Sequence, residues 1–175
     1  MKKRYAGIGS RNAPKKILVD IFYYAQRLEK TGFLLVSGGA RGCDLFFENG
    51  VENNENKIIF KARDATSWSL EMVKKYLPKD YLPRALTEFD NWKERTKGLL
   101  ARDMMQILGE DGKTLVEFVV CWTKSMNYEY SEVGGTGYAV RCALDHNIPV
   151  YNLVDEKQTK AFQELLEKLE NEQAI

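Results

Sequence analysis

Three glycine-bearing turns restrict the folds open to this chain more than any other feature of its sequence. Gly9 ends one short apolar run, and Gly38 and Gly39 follow a second. The third turn, residues 134–137, reads Gly-Gly-Thr-Gly and lies beyond the apolar run 118–122. Glycine permits positive φ and lets the backbone come close to a neighbouring group. Each turn precedes a stretch of helical periodicity, which indicates strands that enter helices through tight loops.

Apolar periodicity predicts alternating strands and helices along the chain. The predicted strands are residues 4–9, 33–36 and 57–60, one strand within 115–122, and 149–153. The predicted helices are residues 15–30, a short helix after Asp44, 94–108, 138–146 and 157–171. This alternation predicts an α/β fold, a Rossmann-like three-layer sandwich whose mostly parallel sheet has the strand order 3-2-1-4-5. No repeat or linker interrupts it, so we expect a single nucleotide-binding domain over residues 1–175.

One segment, at about residues 61–93, does not fit the alternation. Pro78 and Pro83 argue against a continuous helix there, so we predict an aromatic-rich insertion of one or two short helices. Its aromatic residues include Trp68, Tyr76, Tyr81, Phe89 and Trp92. Two interpretations stay open: a lid that stacks on a nucleobase or forms an oligomer contact, and a hydrophobic cluster packed on the sheet. We also expect the chain to form a homo-oligomer.

Composition and charge exclude several classes of protein. With 26 basic and 25 acidic residues the net charge is +1, which does not predict strong non-specific binding to nucleic acid but leaves a local basic patch open. His146 is the single histidine and the three cysteines show no CxxC spacing, so we expect free thiols, no metal site and no cofactor. No apolar run approaches the ~20 residues of a membrane span, and the N-terminus lacks the apolar stretch of a signal peptide. We therefore expect a cytoplasmic protein without membrane contact.

The glycine turns are expected to meet at one edge of the sheet. In the order 3-2-1-4-5 the chain reverses direction between strands 1 and 4, and open α/β sheets bind ligands at such a point, outside the carboxyl ends of the strands. N–H groups at a helix N-terminus and an arginine fork both suit phosphate, so we predict a phosphate-bearing ligand. The residues predicted to bind it are Gly9, Ser10, Arg11, Ser37, Gly38, Gly39, Arg41, Asp44, Gly134, Gly135, Thr136 and Gly137. For Asp44 we favour a structural role, either paired with Arg41 or capping the helix that follows.

These motifs resemble known families. Gly9-Ser10-Arg11 and residues 37–44 resemble the Rossmann-like domain of the DNA-processing protein A (DprA/Smf) family, and Ala101-Arg102-Asp103 resembles that family's arginine-asparagine pair. Residues 134–137 are similar to the GGxG turn of the Lonely Guy nucleotide phosphoribohydrolases. Both families belong to the SMF/DprA-LOG (SLOG) superfamily, whose members handle nucleotides, nucleotide-derived signals or single-stranded DNA. The resemblance spans residues 4–153 and implies that Arg102 also binds the ligand.

Three functions follow from the resemblance and from the departures from it. The Lonely Guy glutamate falls on Arg141, whose charge has the wrong sign to stabilise an oxocarbenium-like centre. The leading interpretation is therefore a sensor, carrier or sequestering protein that binds a nucleotide or an ADP-ribose-like small molecule. The second is a nucleotide N-glycosidic bond hydrolase that uses Glu132 or Asp44 as its carboxylate. The third is a DprA-like single-stranded DNA-binding protein, with Arg11, Arg41 and Arg102 lining a groove and Trp68 or Trp92 stacking on bases.

Overall fold

The computed structural model describes residues 2–77 and 88–173, and its centre is a parallel β-sheet. The strands are β1 (Arg4–Gly9), β2 (Leu34–Ser37), β3 (Lys57–Ile59), β4 (Phe118–Trp122) and β5 (Val150–Asn152). All neighbouring pairs are parallel, in the order β3-β2-β1-β4-β5. The predicted Rossmann-like α/β fold and its strand order are confirmed.

Seven α-helices lie entirely within the described residues. They are α1 (Lys15–Lys30), α2 (Cys43–Gly50), α3 (Ser67–Lys74), α4 (Glu94–Leu108), α5 (Tyr130–Val133), α6 (Thr136–Asp145) and α7 (Glu156–Gln173). Single 3₁₀ turns occupy Asn54–Asn56 and Ala62–Asp64. Helix α6 begins inside the glycine motif, earlier than predicted, because the N–H of Gly137 donates to the carbonyl oxygen of Gly134 at 3.1 Å. None of these helices is long and apolar enough to cross a membrane.

Both faces of the sheet are buried, as expected for parallel strands covered by helices. Alternate residues of β1 point to opposite layers: Ala6 and Ile8 pack in one apolar cluster, and Tyr5 in the other. At Gly7 the layers come close, because a Cβ placed there would lie 2.6 Å from Cγ of Phe47 in α2. The missing side chain lets α2 pack directly on β1 and sets the position of the loop that precedes it.

The described part of the aromatic segment packs against α4 and the sheet. Tyr76 and Phe89 are buried in one of the two core clusters, and the ring of Trp92 lies 5.4 Å from that of Phe89. The indole N–H of Trp68 donates to the carbonyl oxygen of Glu110 at 2.9 Å. These aromatic residues therefore pack as a hydrophobic cluster. Tyr81 and the two prolines of the segment lie outside the described residues.

Candidate functional site

A cleft of about 370 Å³ opens at the carboxyl edge of β1 and β4, where the strand order reverses. Its walls are the loop after β1, the start of α2, one face of α4 and the turn that joins α5 to α6. The lining residues are Ile8, Gly9, Ser10, Arg11, Asn12, Ala40, Asp44, Thr96, Leu99, Leu100, Arg102, Asp103, Gln106, Tyr130, Val133, Gly134, Gly135 and Thr136. The volume falls in the range of small-molecule sites in proteins.

Eight of the residues predicted from sequence line this cleft: Gly9, Ser10, Arg11, Asp44, Arg102, Gly134, Gly135 and Thr136. The remaining ligand-binding candidates, Ser37, Gly38, Gly39, Arg41 and Gly137, lie outside its lining, as does the carboxylate candidate Glu132. Ser37 has a structural partner instead, because its buried hydroxyl donates to the carbonyl oxygen of Gly7 at 2.6 Å. Of the two catalytic candidates, only Asp44 faces the cleft.

The glycines of the 134–137 turn have different roles. Gly134 has φ +67°, a conformation that favours glycine, and nothing lies within 4 Å of where its Cβ would be. Gly135 borders the cleft, and a Cβ there would lie 3.2 Å from Oδ2 of Asp103. A Cβ at Gly137 would collide with the carbonyl oxygen of Tyr128, so this glycine lets α6 pack on the preceding loop.

Asp44 fastens two of the glycine loops together. Its carboxylate accepts the N–H of Gly9 at 3.1 Å and, more weakly, the N–H of Ala40 at 3.4 Å. Arg41, the partner considered for it from sequence, is exposed and forms no ion pair with any described residue. The structural role of Asp44 is therefore carried by backbone donors, since its burial excludes the long exposed side chain of Arg41.

Arg102 braces α4 against the loop after β2. One guanidinium nitrogen, Nη1, donates to the carbonyl oxygen of Gly38 at 2.6 Å, and Nε lies 3.4 Å from Oδ1 of Asp103. The absence of a side chain at Gly38 is what admits the guanidinium, because a Cβ there would lie 2.7 Å from Cζ of Arg102. Arg102 thus borders the cleft while two of its donors are already directed at protein acceptors.

The cleft floor holds two buried carboxyl groups with weakened acidity. Burial raises the pKa of Asp44 to about 6, although Arg102 and backbone N–H groups oppose the shift. Burial likewise raises the pKa of Asp103 to about 7, with Arg102 lowering it and the neighbouring Asp44 raising it. Desolvation disfavours the charged form of each acid, and a single arginine does not fully compensate two of them. Both groups are therefore weaker acids than an exposed aspartic acid.

Two residues that the sequence did not single out as ligand-binding complete this floor. Asp103 and Gln106 are three positions apart on α4, so they share one face of the helix. Gln106 is only 2% exposed, and its Nε2 has no hydrogen-bond partner among the described residues. Asp103 belongs to the Ala101-Arg102-Asp103 motif, whereas no motif marks Gln106, and only the tertiary packing shows that both face the cleft.

The cleft lining also includes apolar side chains and the exposed cation Arg11. Leu99, Tyr130 and Val133 provide carbon surface, and Tyr130 is 51% exposed. Arg11 is exposed at the mouth and is close enough to Asp103 to lower its pKa. Among the described residues no group of three or more histidine, cysteine, aspartate or glutamate side chains is placed to hold a metal ion.

Comparisons with known proteins support the fold. No protein-family model and no curated protein matches the chain. Its fold is similar to that of DNA processing protein A from Helicobacter pylori, which binds single-stranded DNA, with a TM-score of 0.56 and 20% identity over 97% of this chain and 74% of that one. It is also similar to DNA processing protein A (DprA) from Streptococcus pneumoniae, with a TM-score of 0.51 and 16% identity. That match covers 94% of this chain but only 56% of the pneumococcal one. At these identities the similarity establishes a shared fold.

Proposed function

We propose that this chain binds a nucleotide or a nucleotide-derived small molecule in the cleft between β1, α4 and the α5–α6 turn. The observation that carries the proposal is that the cleft at the switch point of the sheet is lined both by cationic and N–H-bearing groups and by apolar side chains. A phosphate group binds to cations and N–H donors, whereas a nucleobase packs against apolar surface. A site of this shape and size suits a ligand that combines both.

The phosphate side consists of the loop after β1 and the glycine turn. Arg11 offers a guanidinium with no ion pair to any described residue, so all its donors remain for an anion. The hydroxyl of Ser10 accepts the N–H of Asn12 at 3.1 Å, which leaves its own hydrogen for a ligand. The N–H of Gly135 has no acceptor in the described part of the chain and lies directly before α6. Arg11 is the strongest of these candidates because its guanidinium is exposed and forms no ion pair with a described residue.

The apolar side suits a planar base. The ring of Tyr130 packs edge-on against that of Tyr138 at 5.8 Å, which holds it at the cleft mouth. Leu99 and Val133 lie beside it in the lining. Aromatic rings at the edge of a site combine a large apolar face with little conformational freedom, and bases stack on them.

Simple binding is favoured over hydrolysis of the ligand. Arg141, which occupies the position of the Lonely Guy glutamate, lies outside the cleft lining: it lies over the ring of Tyr138 at 5.0 Å and pairs with Glu129 at 3.9 Å. Glu132 is exposed outside the lining, and Asp44 is engaged with backbone donors. Asp103 lines the cleft, but burial raises its pKa to about 7, which makes it less suited than an ionised carboxylate to stabilise an oxocarbenium-like centre. We therefore expect no free base after prolonged incubation with a bound nucleotide, analysed by chromatography.

Calorimetric titration with the four ribonucleoside 5′-monophosphates tests the proposal. We expect at least one to bind, and Arg11→Ala to weaken it by roughly ten- to a hundredfold, since a hydrogen bond to a charged group contributes ~1.5–3 kcal/mol. Arg63→Ala is the matched control, because Arg63 is an exposed arginine outside the lining of this cleft. Equal affinities for the wild type and Arg11→Ala would contradict the proposed phosphate position.

Single-stranded DNA is a second candidate ligand. The Helicobacter pylori protein of similar fold binds it, and exposed cations continue along the carboxyl edge of the sheet from Arg11 to Arg41 and Lys61. The amino group of Lys61 lies close to Gly39, and Gly42 packs against Ser10 and Arg11, so the loops that carry these cations are adjacent. An extended single strand of DNA would contact all three cations along this edge, whereas a mononucleotide would occupy only the cleft.

A further inference from the structure

Asp103 and Gln106 form a polar floor whose hydrogen-bonding capacity the protein does not use. A buried amide without a partner is uncommon in folded proteins, because its desolvation costs about 1–3 kcal/mol. Nε2 of Gln106 is such a group: it lies against the backbone at Gly38, and Gln106 is one of the residues that line the cleft. Because Gln106 lines the cleft, a ligand bound there can supply the missing hydrogen-bond partner.

The carboxylate of Asp103 has the same spare capacity. Its Oδ1 receives one long contact, 3.4 Å, from Nε of Arg102. Its Oδ2 is directed towards Gly135 and has no donor among the described residues. The charged groups around it are Arg102 on the same helix, Asp44 from α2 and Arg11 from the loop after β1. A carboxylate offers about four lone-pair sites, so most of its capacity remains.

The chemistry of this floor selects hydroxyl groups rather than phosphate. A carboxylate, with a second one close by, repels a phosphate group placed against it. A hydroxyl donates to the carboxylate and also exchanges a hydrogen bond with an amide, which both donates and accepts. Two neighbouring hydroxyls therefore satisfy Asp103 and Gln106 together. The ribose of a nucleotide carries such a pair, between the phosphate and the base.

We propose that Asp103 and Gln106 bind the ribose hydroxyls of the ligand, so that the cleft selects a ribonucleotide over its 2′-deoxy counterpart. This inference rests on the proposed nucleotide binding and adds a sugar specificity to it. Asp103 and Gln106 line the same cleft as Arg11 and Tyr130, and in a nucleotide the sugar is the group that joins phosphate to base. A carboxylate that accepts the 2′-hydroxyl is also how other α/β nucleotide sites recognise ribose.

The test compares each ribonucleoside 5′-monophosphate with its 2′-deoxy form by calorimetric titration. We expect the wild type to bind the ribonucleotide at least tenfold more tightly. In Asp103→Ala the preference should fall to about twofold or less, through weaker binding of the ribonucleotide and little change for the deoxynucleotide. Gln106→Leu, which keeps the side-chain volume, should reduce the preference in the same direction. Glu132→Gln removes an exposed carboxylate outside the cleft and should leave the preference unchanged.

The outcomes separate the two proposals. Equal affinity of the wild type for the ribonucleotide and its 2′-deoxy form overturns the ribose assignment but does not contradict nucleotide binding. Recognition of the base by Asp103 would give this result. Binding of neither form overturns the proposed function and the ribose assignment together. If Asp103→Ala does not fold, as judged by thermal unfolding, Asp103→Leu, which has a similar shape and no hydrogen-bonding atom, provides the same comparison. A preference that persists in that folded variant and in Gln106→Leu contradicts the assignment.

Discussion

Asp44 and Asp103 approach a single arginine from two helices, and this arrangement affects the stability of the fold as well as its site. Each acid is buried, and Arg102 is the nearest cation to both. A buried charge with incomplete compensation costs free energy in the folded state, and the cost disappears when the group is protonated. Proteins commonly accept this kind of cost at binding sites, where the same groups are needed for a ligand.

The pH dependence of stability follows from these two acids. Their pKa values rise from 3.8 to about 6 and about 7 on folding, so between about pH 4 and pH 7 the folded state holds more protons than the unfolded state. Their contribution to the free energy of unfolding therefore falls as the pH rises through this window. We expect Asp103→Asn, which cannot ionise, to raise the melting temperature relative to wild type more at pH 8 than at pH 5. If the melting temperatures of wild type and Asp103→Asn differ by the same amount at every pH, or if Glu132→Gln shows the same pH-dependent difference, the attribution to Asp103 is contradicted.

At the level of single residues, the sequence predicts loop positions better than helix positions. Ser10, Arg11 and Gly135 were identifiable because they directly follow a strand or precede a helix, and the parallel sheet brings such positions together. Gln106 carries no comparable signal, since an amide within a helix is more often exposed than buried. Arg41 lies in the right loop, but its side chain is exposed outside the cleft.

Among the secondary-structure elements, the α5–α6 turn contains, within four residues, both a glycine that lines the cleft and a glycine needed for packing. Gly135 faces the cleft and Gly137 is buried in the protein interior, and the Gly-Gly-Thr-Gly motif does not distinguish these two positions. Helix α4 was correctly bounded from sequence at Glu94–Leu108 because Gly109, with φ +76°, ends it. The start of α6 was placed too late, since the glycines that weaken the helical signal also form its first turn.

A pair of substitutions distinguishes the two glycines. Gly135→Val is expected to lower nucleotide affinity at least tenfold with little loss of stability, because φ of −59° suits valine and its side chain would enter the cleft beside Asp103. Gly137→Ala is expected to destabilise the fold by about 1–3 kcal/mol, the usual cost of overpacking, because its Cβ collides with the carbonyl oxygen of Tyr128. Urea denaturation and calorimetric titration of both variants measure the two effects. If Gly137→Ala is as stable as the wild type, the packing role of Gly137 against Tyr128 is contradicted.

For the whole molecule, the strand order and the location of the cleft were predictable from the sequence, but the distribution of surface charge was not. Alternating strands and helices admit few arrangements once crossovers are right-handed, so the order of the strands and the location of the cleft followed from sequence. The net charge of +1 averages over the surface, and it does not reveal that Arg11, Arg41 and Lys61 come from three successive loops at one edge. Only the fold brings these cations together.

The distribution of cations along this edge distinguishes a mononucleotide from a DNA strand as the ligand. If the ligand is a mononucleotide confined to the cleft, Arg41→Ala should change its dissociation constant by less than about twofold, since Arg41 lies outside the lining. If single-stranded DNA follows the edge, a deoxythymidine oligonucleotide should bind more tightly than a mononucleotide. Its affinity should then fall with added salt, with a slope of about −0.7 in log–log form per phosphate contacted, and the slope should become shallower in Arg41→Ala. Fluorescence anisotropy at two salt concentrations measures this slope. We expect weak oligonucleotide binding with a slope unaffected by Arg41→Ala, and a strong, Arg41-dependent slope would favour the DNA-binding function instead.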